Sequence, residues 1–472
     1  MTLHGAGPCM ETFGIWSLVP PLVAIGLALL TREIVLSLFA AIFSGAAIHA
    51  CLTHAGFLSA FRTITNLVCG KMAENMAMVL FLCLLGALVS VVTRAGGARA
   101  YGEWAHRRLK SETAVNLMTI VMGLVIFIDD YFNCLTVGTV MRPVTDKFRI
   151  SRAKLAYLID TTAAPVCILS PVSSWAAYVI TCLPDGMREK GLWLYLAAAP
   201  LNFYAVLSLV MVVLFAFGHK LDIGLMRRME RTAHVRRDVG AEVVMREGLE
   251  PIPVSSRGRV IDLVLPIVVL IALSAWQLCR EPEAGVALAL AALMALVFAF
   301  LFLVPRRVID YHQFAAATLF GIRTMVPALV LLALAWGISG VCNDLLGTGA
   351  FIASRLVGAN LSLAWLPATL FATAAVFAFA TGASWGAIGI LVPIGMSVCH
   401  ALEPSAAVLT LAATLAGSVM GDHCSPIADT TILASTGAQC KHMNHVMTQI
   451  PYALVAGALS LVGYLVAGAC FL

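Results

Sequence analysis

Residues 420–431 read MGDHCSPIADTT and interrupt a run that is otherwise typical of an apolar helix. The run reads VLTLAATLAGSV before this stretch and ILAS after it. Polar and helix-breaking residues are costly in a bilayer, because lipid offers no water to satisfy side chains or backbone. The stretch therefore indicates a discontinuous membrane helix that carries a polar site.

The composition of the whole chain is that of a membrane protein. Of its 472 residues, 61% are hydrophobic and 12% are charged, whereas soluble domains carry about 45–50% apolar and about 25% charged residues. Apolar segments of spanning length recur throughout, so no soluble domain is left over. We expect an all-α membrane protein that has the lipid bilayer as its partner.

One long polar segment, residues 218–259, separates two apolar halves. It carries nine lysines or arginines against six acids, and the positive-inside rule predicts that it lies in the cytoplasm. We interpret its charges as those of a solvated amphipathic linker, and a nucleic-acid partner is not expected. The predicted domains are a first transmembrane repeat at 1–217, this basic linker, and a second, inverted transmembrane repeat at 260–472.

Three pairs of similar segments, 249 to 255 residues apart, predict this duplication. They are residues 76–90 with 325–339, 137–148 with 388–398, and 169–175 with 424–430. Basic residues concentrate in the first copy, at 94–110 and 142–154, and are nearly absent from the matching parts of the second. This asymmetry predicts that the second copy is inverted.

Two basic stretches flank residues 115–141, and a single crossing would place them on opposite sides of the membrane. A re-entrant hairpin that turns at FIDDYFN, residues 127–133, keeps both on one side. Residues 366–396 show the same pattern, with a turn at TGASWGA, residues 381–387. The predicted fold is therefore two inverted repeats, each of about five transmembrane helices plus a re-entrant hairpin, with discontinuous helices.

A second broken segment follows each hairpin, at residues 155–182 and 407–435. Pro165, Pro171 and Pro426 remove backbone donors and are expected to interrupt their helices. The carbonyl and hydroxyl oxygens left without partners are ligands that suit a hard cation such as sodium.

Five aspartates lie in the interrupted segments, with no lysine or arginine at depth beside them. They are Asp129, Asp130, Asp160, Asp422 and Asp429. A buried acid without a basic partner needs a proton or a metal cation, and a sodium ion that displaces a proton performs exchange. For Asp160 and Asp429, each followed by threonines, a helix-capping role is the alternative.

Polar neighbours of these acids are candidate ligands, although each hydroxyl could equally bond back onto its own helix. The candidates are Asn133, Thr161, Ser170, Ser173, Ser174, Thr381, Ser384, Ser425 and Thr430. His423 is a candidate proton relay, because histidine titrates near physiological pH. A structural zinc site is not expected, because the spacing of the C-terminal His and Cys residues is irregular. His442 and His445 are assigned to the cytoplasmic mouth instead.

Four long motifs resemble those of the NhaC family of sodium/proton antiporters. They are residues 127–143 (FIDDYFNCLTVGTVMRP), 150–166 (ISRAKLAYLIDTTAAPV), 380–393 (ATGASWGAIGILVP) and 421–454, which begins GDHCSPIADTT. The resemblance implies inverted repeats and gradient-driven transport of Na+ and H+ without a cofactor. By position, it points to Asp129, Asp130, Asn133, Asp160, Thr161, Thr381, Ser384, Trp385, Asp422, Ser425, Asp429 and Thr430. At residues 173–179 the chain lacks the acid that often follows this run in the family.

We therefore predict a secondary transporter that exchanges Na+ for H+ by alternating access and crosses the cell inner membrane several times. The alternative is a Na+/H+-coupled carrier or exchanger of small organic acids, of the malate/lactate type, or of amino acids. A membrane enzyme built around Asp422, His423 and Cys424 lacks an obvious nucleophile and base that reach water. A small organic acid as a further partner and a homodimer are left open.

Overall fold

The computed structural model describes residues 13–31, 33–127, 130–171, 173–217, 222–235, 255–278, 280, 283–348, 351 and 363–471. These residues form helices and connections without a β-strand, which confirms the predicted all-α class. Seven of the described helices are long and apolar enough to cross a membrane, and up to nine spans result if each bent helix pair counts as one. The chain is a multi-pass membrane protein.

The helices of the first half begin near the N-terminus and end at residue 216. They are α1 (Val19–Thr31), α2 (Ile34–Leu52), α3 (Phe57–Glu74), α4 (Met76–Arg94), α5 (Gly97–Arg108), α6 (Glu112–Val125), α7 (Asp130–Lys147), α8 (Arg152–Leu169), α9 (Ser174–Cys182), α10 (Asp185–Arg188), α11 (Gly191–Ala198) and α12 (Phe203–Ala216).

A short linker helix precedes the second half. The remaining helices are α13 (Gly224–Val235), α14 (Ile261–Leu278), α15 (Ala284–Leu303), α16 (Tyr311–Gly340), α17 (Leu366–Thr381), α18 (Ser384–Leu402), α19 (Ala407–Cys424), α20 (Asp429–Ala438) and α21 (His442–Phe471).

Both halves contain the same order of elements. Each has two helices joined by a turn, α6 with α7 and α17 with α18, followed by two helices separated by a break, α8 with α9 and α19 with α20. This order agrees with the predicted duplication. The domain boundaries and the inverted relation of the whole halves stay predictions.

The segment formed by α6 and α7 folds back on itself. Glu112, at the start of α6, contacts His234 Nε2 at 2.6 Å. Arg149, just after α7, donates a hydrogen bond to the carbonyl of the same histidine at 3.4 Å. Both ends of the segment therefore lie at one end of the bundle, as expected of a hairpin. We call this end, which also holds Arg94 and Arg152, the basic end.

The segment formed by α17 and α18 is also a hairpin. Gly382, in its turn, has a φ of +66°, a left-handed conformation that glycine adopts without strain. A Cβ at this position would lie 2.5 Å from the carbonyl oxygen of Ile427. The turn is thus pressed against the break between α19 and α20. Farther along, Gly395 of α18 lies beside both Leu370 of α17 and Thr410 of α19.

The first break separates α8 from α9, where the bend is 50°. The second break separates α19 from α20. Pro171 and Pro426 lie in these breaks, as predicted. The prediction for Pro165 is wrong, because α8 continues through this residue to its end four residues later. A single missing backbone hydrogen bond does not end a helix that neighbouring helices enclose on all sides, and nearly every residue of α8 is buried.

Close backbone contacts fix how the broken helices are placed. A Cβ at Gly138 of α7 would lie 2.6 Å from the backbone of Gly437 in α20, and one at Gly421 of α19 would lie 2.2 Å from the carbonyl oxygen of Ala375 in α17. Small residues at such crossings let helices approach closely in a membrane. As a result, α7 pairs with α20, and α17 pairs with α19.

Within the linker, the described residues are 222–235 and 255–259, and its other residues lie outside the described part. α13 is amphipathic, as predicted, but its inner face is docked on the bundle. Lys154 Nζ of α8 forms an ion pair with Asp222 at 2.7 Å, with each side chain 1% exposed. The backbone N–H of Ser151 donates to Glu230 at 2.8 Å. Only the outer charges, such as that of Arg228, are solvated.

Candidate functional site

Four buried aspartates come together where the hairpins and breaks meet. Asp130 begins α7, Asp429 begins α20, Asp422 lies near the end of α19, and Asp160 lies in the middle of α8. Electrostatic interactions link Asp422 to the other three carboxylates. We call these four residues the aspartate cluster. Asp129, the fifth predicted acid, lies outside the described residues.

The positions of these acids follow from helix geometry. Asp130 and Asp429 are the first residues of α7 and α20, which run side by side in the same direction. The positive ends of two helix dipoles therefore face these carboxylates and favour their negative charge. Asp422 is near the C-terminus of α19, where the dipole favours a cation. The helix ends therefore favour the charged form of Asp130 and Asp429, and favour a cation beside Asp422.

Hydroxyl groups join the acids on the two sides of the second break. Thr430 Oγ1 donates a hydrogen bond to Asp422, and Tyr131 OH donates one to Asp429. The backbone N–H of Thr430 also donates to Asp429 Oδ1 at 2.9 Å. The other oxygen of Asp422, Oδ1, is buried and has no hydrogen-bond partner among the described residues. That oxygen is therefore a candidate ligand for a cation.

Asp160 is held by two side chains from α21. Gln449 Nε2 donates to Asp160 Oδ2 at 2.5 Å, and His445 Nε2 lies 3.2 Å from the same oxygen. His445 is fully buried, so its predicted place at the cytoplasmic mouth is wrong. Asp160 lies within α8 and not at a helix start, which excludes the capping role considered for it.

His423 lies between the aspartate cluster and the hydroxyl group of Tyr204. Its Nδ1 lies 2.9 Å from Tyr204 OH, and its carbonyl accepts a hydrogen bond from Gln449 at 3.1 Å. A cavity of about 10 Å³ adjoins it, lined in part by Tyr157 and Thr161. This volume is close to what one water molecule needs. The arrangement suits a proton relay, which stays a prediction.

Asn133 fastens the first hairpin to the broken helix. Its Nδ2 donates to the carbonyls of Gly123 and Ile126, each at 2.8 Å, and to that of Thr162 at 3.1 Å. Its Oδ1 is buried without a hydrogen-bond partner among the described residues. The donor side of the amide is therefore structural, and its oxygen is a candidate ligand.

The hydroxyls of the second hairpin region are directed to backbone carbonyls. Thr381 donates to its own helix at 2.9 Å, Ser384 to a carbonyl of α19 at 3.4 Å, and Ser425 to a carbonyl of α17 at 2.8 Å. These three residues are buried next to the second break. They hold the hairpin turn against the break.

The three predicted serines of the first break lie away from the aspartate cluster. Ser170 follows α8 and is ten residues from Asp160, about 15 Å along a helix. Ser173 caps α9 by accepting a backbone hydrogen bond at 3.2 Å, and Ser174 begins that helix. Trp175 and Trp385 pack beside them with ring centroids 5.0 Å apart. These serines therefore lie at the first break, near the contact between α9 and the second hairpin.

Three acids of the cluster have no permanent cationic partner among the described residues, as the sequence indicated. Among the described residues, Asp160, Asp422 and Asp429 form no ion pair with a lysine or an arginine. Within the same residues, no three His, Cys, Asp or Glu side chains converge closely enough to hold a metal ion. The His445 ring lies beside Asp160, and it carries charge only when protonated.

A multi-pass helical bundle with discontinuous helices and interacting buried acids has the architecture of a secondary transporter. The sequence matches the Na+/H+ antiporter family over residues 166–469, and the chain belongs to this family. The predicted family relationship is confirmed. The protein is a secondary transporter and not an enzyme.

Two related sequences support this assignment. A protein of Haemophilus influenzae, named only as uncharacterized, is 37% identical over 486 aligned residues, which cover 96% of this chain and 91% of that protein. The arginine/ornithine antiporter ArcD of Halobacterium salinarum is 38% identical over 110 residues, which cover 22% of each chain.

Two solved transporter structures align over most of the chain at low similarity. The YdaH transporter of Alcanivorax borkumensis has a TM-score of 0.36 and 14% identity, with 95% of this chain and 98% of that chain covered. MtrF of Neisseria gonorrhoeae, described as one of a class of antimetabolite efflux pumps, has a TM-score of 0.35 and 14% identity, with 88% and 84% covered.

Proposed function

We propose that the protein exchanges Na+ for H+ by alternating access at the aspartate cluster. The observation that carries this proposal is the link between Asp422 and Asp429 through Thr430, in a buried place where neither carboxylate has a lysine or arginine partner among the described residues. Two such carboxylates cannot both stay charged at low cost, so they bind protons or a cation.

The proposed exchange needs no group beyond the chain and its two cargo ions. With a proton bound, the pair carries one negative charge instead of two, and the hydroxyl hydrogen bonds hold it closed. A sodium ion that enters finds oxygen ligands from Asp422, Asp429 and Thr430, together with backbone carbonyls freed at the break, and displaces the proton. Carboxylate, hydroxyl and carbonyl oxygens are the ligands that hard cations prefer.

Energy for transport would come from ion gradients, because the sequence contains no GxxxxGK[ST] motif for binding ATP. We place the protein in the cell inner membrane, with the basic end facing the cytoplasm by the positive-inside rule. A homodimer stays a prediction.

Proton flux in proteoliposomes tests the proposal. Wild-type protein should release an imposed proton gradient when Na+ is added without any organic solute. Asp422→Asn and Asp429→Asn should each abolish this response while the protein still inserts and folds. Glu103→Gln is the control, because Glu103 is an exposed acid on α5 outside the aspartate cluster, so its flux should equal that of the wild type. Normal flux in both site variants would remove the cluster from the mechanism.

A second candidate is exchange of a cationic amino acid. The observation that favours it is the 110-residue similarity to a protein named as an arginine/ornithine antiporter, since an acidic site suits an ammonium or guanidinium group as well as Na+. Counterflow of labelled arginine or ornithine without a sodium requirement would favour this candidate. Uptake of labelled malate or lactate would favour an organic-acid carrier instead.

A further inference from the structure

A cavity of about 680 Å³ opens at the basic end, and none of its lining residues belongs to the aspartate cluster. Its charged lining consists of Arg94, Arg257 and Arg307, together with Asp310. The cavity lies where three parts of the chain meet: the end of α4, the last residues of the linker, and the connection between α15 and α16.

Backbone hydrogen bonds build this junction. The N–H of Ser255 donates to the carbonyl of Arg94 at 2.8 Å, and Ser255 Oγ donates to the carbonyl of Val308 at 2.9 Å. Arg257 Nη1 donates to the carbonyl of Arg307 at 3.3 Å. The linker therefore joins the first half of the chain to the second at this cavity, and the guanidinium group of Arg257 is held in a defined position.

The cavity carries an excess of positive charge. Arg94, Arg257 and Arg307 form no ion pair with a carboxylate among the described residues. Asp310 Oδ1 accepts a hydrogen bond from the backbone of Gln313 at 2.7 Å and thereby caps α16. Three guanidinium groups around one cavity suit an oxyanion with several acceptor oxygens, such as a phosphate group.

The surroundings of the cavity indicate which kind of molecule would carry such a phosphate group. Its inner wall includes the apolar side chains of Val304, Val308 and Ile309. Tyr311, at its rim, is 62% exposed, and Leu301 on the last turn of α15 is 63% exposed. Exposed apolar residues on a spanning helix face lipid tails, and tyrosine favours the level of the headgroups. The cavity thus lies beside the lipid-facing surface and not in a soluble domain.

We propose that this cavity binds the phosphate group of an anionic phospholipid from the leaflet at the basic end. Basic pockets at the ends of membrane helices bind such headgroups. The bound lipid would contact the first half, the linker and the second half at once, and would stabilise their junction. This proposal is independent of which ion the protein transports.

The test is a titration of purified protein in neutral detergent with phosphatidylglycerol, followed by thermal shift. Phosphatidylcholine and inorganic phosphate are titrated in parallel. Phosphatidylglycerol should stabilise the wild type, and the other two should have little effect. Arg94→Gln and Arg257→Gln should each weaken the apparent affinity roughly fivefold, and together roughly 25-fold, which corresponds to about 1 kcal/mol for each arginine.

Arg228→Gln is the matched control, since Arg228 is exposed on α13 at the same end of the bundle and outside the cavity. Its affinity should stay within about twofold of the wild type. Arg257 is exposed, so its variant is expected to fold even if the Arg94 variant does not. Equal stabilisation by phosphatidylcholine, an equal loss in the Arg228 variant, or equal stabilisation by inorganic phosphate would each overturn the lipid assignment.

Discussion

The buried ion pair between Lys154 and Asp222 determines how firmly α13 is docked on the bundle. Lys154 Nζ lies 2.7 Å from both carboxylate oxygens of Asp222, and each side chain is 1% exposed. Lys154→Met would leave the carboxylate buried, and among the described residues its remaining side-chain hydrogen bond is a 3.4 Å contact with Tyr452 OH. Breaking one partner of a buried pair costs about 3–5 kcal/mol.

This cost should appear first as local opening of α13, because an undocked helix returns the carboxylate to water. A loss of about 3–5 kcal/mol corresponds to a rise of roughly 10²- to 10⁴-fold in the opening constant, limited by the docking free energy of the helix. Hydrogen exchange of the backbone amides in residues 224–235 measures this opening. Exchange of amides in α19, which does not contact the pair, is the internal reference.

The double variant Lys154→Met with Asp222→Leu separates charge from packing. It should recover most of the protection, because well-packed apolar replacements of a buried pair are neutral or stabilising by about 1–4 kcal/mol. A single variant that changes exchange less than tenfold would refute the reasoning. A double variant as unprotected as the single one would do so too, since it would show that packing and not the unpaired charge holds the helix.

Two further predictions concern packing and pH. Gly437→Ala would place a Cβ 2.5 Å from a backbone oxygen of α7, so it should destabilise the protein by about 1–3 kcal/mol in thermal unfolding. Gly26→Ala, with nothing within 4 Å, should be neutral or stabilising by about 0.5–1 kcal/mol, and equal effects would contradict the packing argument. Burial lowers the pKa of His234, but its hydrogen bonds to a backbone carbonyl and to Glu112 more than offset this, so its net pKa lies above the ordinary value. The pair should therefore stabilise α13 docking fully below about pH 6.5 and lose this effect as the pH rises through the folded-state pKa. Glu112→Gln should reduce the pH dependence of the protection factors of the α13 amides, while the hydrogen bond to the backbone carbonyl of Glu230 remains; an unchanged profile would exclude this pair as a source of that dependence.

The sequence predicts those parts of the fold where the residues are unsuited to an uninterrupted apolar helix. Glycine, proline and aspartate in a lipid-facing segment are costly, so their positions at residues 127–133, 381–387 and 420–431 indicate turns and breaks. Pro165 is the exception. Its cost is met by tertiary packing around α8, which no local pattern reveals.

The partners of the acids were harder to predict, because they come from distant parts of the chain. Gln449 and His445 lie nearly 300 residues beyond Asp160. Their spacing of four residues places them on one face of α21, which is the only local signal for their role. Tyr131 and Tyr204 gave no such signal, since an aromatic residue in a membrane helix is usually a packing residue.

The second break also determines how the bundle can move. Asp429 lies on α20, whose backbone contacts the backbone of α7. Asp422 lies on α19, which contacts α17 at Gly421. The four residues from Ser425 to Ala428 connect these two groups of packed helices, and we expect this connection to bend if the groups move relative to each other. A cargo ion bound by both carboxylates would draw these two groups of helices together. Ion binding and the angle between α19 and α20 would therefore be coupled.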